Sequence, residues 1–160
     1  MSDDQPDIDL TVSNEALDHA RVRRVALGDA ADLIEELIAR PGSDPRWTVR
    51  VADALQGLRH AFDAHVVEVE GDDGLLPRLR RDAPRVANGV GRMEKEHITI
   101  AADLEATAAL VRSCDGDCDA DTVDRIRESV VDLLRSISRH RQKGADLVYA
   151  AYNVDIGGPG

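Results

Sequence analysis

Apolar residues along this chain recur every three or four positions in four stretches, the period of an amphipathic helix rather than of a strand. The first stretch runs from Ser13, a good capping residue, through Leu17, Ala26, Ala30, Leu33, Leu37 and Ile38, and RPGSDP stops it. The second opens at Asp44 and Pro45, where the missing proline N–H costs nothing. It carries Val51, Leu55, Leu58, Phe62, Val66 and Val69 toward a turn at Gly71. GDDGLLPRLRRDAP connects it to the third, with a short helical piece at LLPRLRR. The third starts near Asp82 and Pro84 and continues through Val86, Val90, Met93, Leu104, Ala108 and Val111. Gly89 and Gly91 weaken it by up to about 1 kcal/mol each relative to Ala. The fourth begins near Asp121, carries Ile126, Leu133, Ile137 and Leu147, and fades at VDIGGPG.

Four such helices with short connections predict an all-α fold, an antiparallel up-down-up-down four-helix bundle over residues 13–153. A disordered tail over 1–12 and a flexible tail over 154–160 are expected to flank it. Composition points the same way: one Phe, two Tyr and one Trp are too few for a sandwich, while Ala, Leu, Val and Ile suit helix packing.

A net charge of −11 argues against nucleic acid and against an anionic membrane as partners, since both need clustered cations. The acidity fits either a salt-adapted surface or a GC-rich genome. No apolar run approaches the roughly 20 residues of a membrane span, and the polar start MSDDQPDIDL lacks a signal-peptide core, so a cytoplasmic protein is expected. Cys114 and Cys118 are expected as free thiols in a loop, with a labile disulfide or a soft-metal clip as the other readings. The same loop lacks the glycine and the terminal glutamate of a calcium-binding loop.

Helical phase sorts the five histidines. At about 100° per residue, His65 lies near the centre of the second apolar stripe and His60 opposite it. His19 aligns with Ala26, Ala30 and Leu37, His97 falls in the third seam, and His140 flanks the fourth by roughly 60°. With helices alternating in direction, the inward histidines stand at similar depth, and the parts of the third and fourth helices beyond that layer must pack on each other under LLPRLRR. Four neutral imidazoles in one layer offer more acceptors than they can satisfy among themselves, and a metal ion resolves this.

The segments LDHARV, HVVEVEGDDGLLP, MEKEH and RHRQKGADLVYAAYNVDIGG, in that order and placement, resemble the hemerythrin-like, or HHE cation-binding, family of non-haem iron proteins. The resemblance spans about Ala16 to Gly158. It implies a four-helix bundle holding a bridged pair of irons through histidines and carboxylates, used to bind or sense oxygen or to handle iron and related small oxidants. Carried over to this chain, it assigns His19, His65, His97 and His140 as metal ligands, with Glu70 the carboxylate after the second-helix histidine. Glu70 stands five residues from His65 where the family has four, so a π-bulge is needed to bring it round, and Glu68 is the fallback. Ala101 and Gly144 occupy two positions where the family offers further ligands, and Asp146 lies on the wrong face. Glu94 is a substitute. Gly144 leaves room either for a small ligand or for Met93. Tyr149 is read as outward and Tyr152 as a stripe-edge aromatic.

These ligands suffice for one iron ion and are marginal for two; zinc or manganese suits the same donors. Oxygen or another small molecule is the expected partner at the metal. No nucleophile with its base is evident, so nothing requires turnover, although an open iron site can react with oxidants. The competing reading is a metal-free helical interaction module whose buried histidines are structural or respond to pH.

Overall fold

The computed structural model describes residues 10–114 and 118–153, and among these it is all helical, with no strand. Four long helices, α1 (Leu10–Ile38), α2 (Trp47–Glu70), α4 (Ala87–Arg112) and α5 (Ala120–Tyr152), are joined by a short α3 (Leu75–Asp82) and a 3₁₀ turn at Pro84–Val86. The four stretches of helical periodicity and the LLPRLRR piece thus correspond to the five α-helices. The expected tails lie mostly outside the described residues, but α1 already opens at Leu10, ahead of Ser13. None of these helices is long and apolar enough to cross a membrane.

α1 packs on α2 and α5, α2 on α4, and α4 on α5, so each long helix has two long neighbours. Leu27 and Ile34 of α1, Leu55 and Phe62 of α2, Ile100 and Leu104 of α4, and Ile126 and Leu133 of α5 share the main core. A second, smaller apolar cluster joins Val69, Leu76, Leu79, Val86, Val90, Met93 and Ala151. It is the packing expected of the two overhanging helix ends: α3 lays Leu76 and Leu79 over it, and Leu147 and Val148 of α5 close its side.

Local chemistry fixes the joints. Asp44 Oδ1 accepts the Arg46 N–H at 2.9 Å, and the Trp47 N–H reaches the Asp44 carbonyl at 2.9 Å, so Asp44 and Pro45 form the turn that launches α2. The buried Trp47 indole N–H donates to the Leu37 carbonyl (3.0 Å), tying the start of α2 to the end of α1. The Arg127 guanidinium lies over Trp47 and donates to the carbonyls of Ile38 (3.1 Å) and Arg40 (2.9 Å), acceptors that the end of α1 leaves unsatisfied. After α2, Gly74 crosses so close to the Glu68 and Val69 carbonyls that a Cβ would sit 2.7 and 2.6 Å from them, which restricts the position to glycine. Pro77 stands in the first turn of α3, where it is tolerated. Asp119 caps α5 by accepting the Thr122 N–H at 2.7 Å. Gly89 costs α4 helix propensity but lets Leu147 of α5 settle where a side chain would stand.

The cysteines correct the expectation of free thiols. Cys114 and Cys118 are joined as a disulfide, with Cα atoms 5.4 Å apart at the connection between α4 and α5. That separation is within disulfide reach, and both side chains pack against the main core.

Candidate metal centre

Three of the four histidines expected inside converge between the two apolar clusters. His65 of α2, His97 of α4 and His140 of α5 are each buried, at 7, 3 and 1 % exposure, and one ring nitrogen from each lies within 4.8 Å of the others. His97 Nε2 stands 3.0 Å from His140 Nε2, which is 3.4 Å from His65 Nε2. Phe62 roofs the trio, with its ring centre 5.9 to 6.4 Å from the three imidazoles.

The outer nitrogens decide the electronic state of the inner ones. His97 Nδ1 donates to Glu70 Oε1 at 2.5 Å, and His140 Nδ1 donates to Glu96 Oε2 at 3.2 Å. An ionised carboxylate can only accept, so both rings carry their proton on Nδ1 when neutral. Their Nε2 lone pairs therefore face each other at 3.0 Å, which is repulsive unless a cation lies between or beside them. Lys143 also bonds to Glu96 and holds that carboxylate in place. Partial burial works to raise the Glu96 carboxyl, but the bonds from Lys143 and His140 outweigh it and hold it below its ordinary range.

His65 differs. Its Nδ1 is buried without a hydrogen-bond partner among the described residues. Burial, reinforced by His97, His140, Arg24 and Arg141, pushes its pKa down to about 3. Burial likewise lowers His140, with His97 adding to the effect and Glu96 opposing it. Both rings therefore stay neutral at physiological pH, the form in which imidazole ligates a metal.

The trio fits a metal ion on geometry as well as charge. Metal–nitrogen bonds of about 2.0–2.1 Å at a tetrahedral angle put donor atoms roughly 3.3–3.4 Å apart; the His140–His65 pair stands at this spacing, the His97–His140 pair slightly inside it, and all three donors lie within 4.8 Å of one another. Outward N–H groups bonded to carboxylates are the usual support for ligating histidines, because they fix ring and tautomer. These three buried histidines could hold a metal ion.

The remaining sequence candidates go elsewhere. His19 is a correction: its side chain is 64 % exposed and sits 3.8 Å from Glu68 instead of joining the cluster. The sequence stripe on the first helix was centred on Ala26, Ala30, Leu33 and Leu37, whereas the buried residues are Leu27, Ile34, Leu37 and Ile38. That face is rotated by about 70°, and Leu33 is left exposed. Glu68 accordingly lies beside His19 rather than among the three rings. Glu94 is bound in a two-pronged pair with Arg80 (2.8 and 2.6 Å), which holds its carboxyl below the usual range. α2 stays regular to Glu70 with no π-bulge, so Glu70 points toward α4 and meets His97 rather than completing a site with His65. Asp146 faces outward and accepts from Gln142. His60, Tyr149 and Tyr152 are exposed, the first two as phase requires.

Neither a protein-family model, nor a curated protein, nor a solved structure matches the chain.

A cavity of about 80 Å³ opens beside the rings. Its lining is mainly aliphatic, with Val69, Leu76, Leu79, Met93 and Leu147 among the wall residues. Gly144 also lines it, and a Cβ there would meet Met93 Cε at 3.4 Å. Gly144 thus stands between the two expected purposes, bordering the cavity next to His140 while lying in ordinary contact range of Met93. Glu96 is the functional candidate that sequence reasoning passed over. It lies in the MEKEH segment beside His97, but its role depends on facing His140 and Lys143 of another helix, a pairing that phase within one helix does not disclose.

Proposed function

We propose that this chain is a hemerythrin-like non-haem iron protein, an antiparallel up-down-up-down bundle that holds one ion through His65, His97 and His140 and leaves a coordination position open to oxygen or a related small ligand. The observation that carries the reading is the inward convergence of three Nε2 atoms, two of whose rings are oriented by Glu70 and Glu96. The antiparallel arrangement is supported by paired contacts. His97 meets His140 while Thr107 bonds to Ser129, and Arg59 lies by Glu105 while His65 lies by His97. One ion suits the site better than two, because His19 stands outside it and no further carboxylate among the described residues joins the rings. When bound, the ion supplies a Lewis-acidic, redox-active position for a small ligand. The protein's own contributions are the fixed tautomers, the apolar walls that exclude water, and the cavity beside His140. A cytoplasmic role in sensing or binding small oxidants, or in handling iron, belongs to this proposal.

Metal analysis of protein purified from iron-supplied cells, together with its visible spectrum, tests the proposal. The expected result is about one iron per chain and an absorption band that His65→Ala and His97→Ala abolish and His60→Ala leaves unchanged. Protein that carries no metal, and that added Fe(II), Zn(II) or Mn(II) does not stabilise against heat, overturns it. The short His97–His140 contact favours the second reading in that event: a proton shared between the two Nε2 atoms would relieve the same repulsion, making the layer a pH-responsive structural element.

A further inference from the structure

Among the described residues, Arg24 and Arg141 are the only Arg, Lys, Asp or Glu side chains that line the cavity. Glu70 and Glu96 sit behind their imidazoles, on the outer nitrogens. The two arginines come from facing helices and are brought to one seam. Arg141 lays its guanidinium against Gly28, with Nη1 and Nη2 3.3 Å from where a Cβ would stand, and Gly28 is one turn beyond Arg24 on α1. Among the described residues neither guanidinium has a carboxylate within ion-pair distance, unlike Arg59, Arg80, Arg112 and Arg127. Two cations thus border the cavity beside the layer of three rings. The other walls, from Val69, Leu79, Met93 and Val148, are apolar.

The geometry points to a small carboxylate as the ligand of this cavity, with its two oxygens shared between the ion and the Arg24 and Arg141 guanidiniums and a short carbon tail against the aliphatic wall. Planar guanidinium groups match carboxylate oxygens in a two-pronged fit that a neutral diatomic cannot use. At about 30 Å³ per water, the cavity holds roughly two to three waters, the size of a molecule of a few heavy atoms. The assignment rests on the metal reading above and narrows its ligand class.

Cobalt(II) serves as a spectroscopic probe. The full chain is loaded with Co(II), its stoichiometry is measured, and its visible bands are followed while propionate, formate or propionamide is added to wild type, Arg24→Gln and Arg141→Gln. Both arginines are largely solvent-exposed, so the variants are expected to fold and to bind Co(II) as wild type does. Propionate is expected to bind more tightly than formate, by roughly fourfold for each buried carbon. Each arginine variant should weaken propionate about tenfold or more, and propionamide should give no shift. Normal Co(II) uptake with propionate affinity unchanged in both variants, or propionamide binding as well as propionate, overturns the carboxylate assignment and leaves the metal site standing. Failure to take up Co(II), together with no stabilisation by Fe(II), Zn(II) or Mn(II), removes the metal reading and this assignment with it.

Discussion

Glu96 and His65 show what single side chains contribute to the layer. Glu96 touches none of the inner nitrogens, yet it fixes the His140 tautomer while Lys143 fixes Glu96. Glu96→Ala is therefore expected to lower metal affinity about 10- to 100-fold, measured by competition with a chelator, without loss of fold. His65 makes the metal-free protein sensitive to acid. Its folded-state pKa is depressed from 6.5 to about 3, so the unfolded chain binds the proton more readily across that interval. Stability contributed by neutral His65 is complete above about pH 6.5 and is lost as pH falls toward 3. Urea unfolding of metal-free wild type and His65→Phe across this range should show a shallower decline for the variant. The inward direction of His65, His97 and His140 could be read from periodicity, because each lies near a stripe of large aliphatic residues. Their outer partners could not, since Glu70 and Glu96 act on rings from neighbouring helices.

Among the elements, α1 shows where phase reasoning fails. Alanines carry little burial energy, so a stripe containing Ala26 and Ala30 constrains the inward face weakly. Packing instead chose Leu27, Ile34 and Ile38. His19 moved outward with that rotation, and His19→Ala should leave metal content and stability nearly unchanged. The overhanging ends of α4 and α5 were legible from length alone: both continue past the histidine layer and had to find each other. Gly89 shows how closely they do so. Gly89→Val would crowd Leu147 and is expected to cost about 1–3 kcal/mol in chemical denaturation, despite the better helix propensity of any side chain over glycine. The correction at Cys114 and Cys118 has the same origin as the missed Glu96, because spacing in sequence does not report which side chains the fold brings together.

Across the whole molecule, metal and fold are expected to stabilise each other, because three ligands from three helices meet only in the folded state. Free metal at a hundred times its dissociation constant adds about 2.7 kcal/mol, which for a chain of this size raises the melting temperature by roughly 5–10 °C. Calorimetry with and without metal measures that shift, and the His97→Ala variant should lack it. The same histidine layer divides the interior, with the larger aliphatic cluster on one side and the α3-capped cluster on the other. A polar floor between two greasy rooms is a natural fracture plane. Without metal, amide hydrogens of α3 and of the neighbouring ends of α4 and α5 should exchange together and sooner than those around Leu27, Leu55 and Ile126. With metal, the two populations should merge, since the ion would rivet one storey to the other.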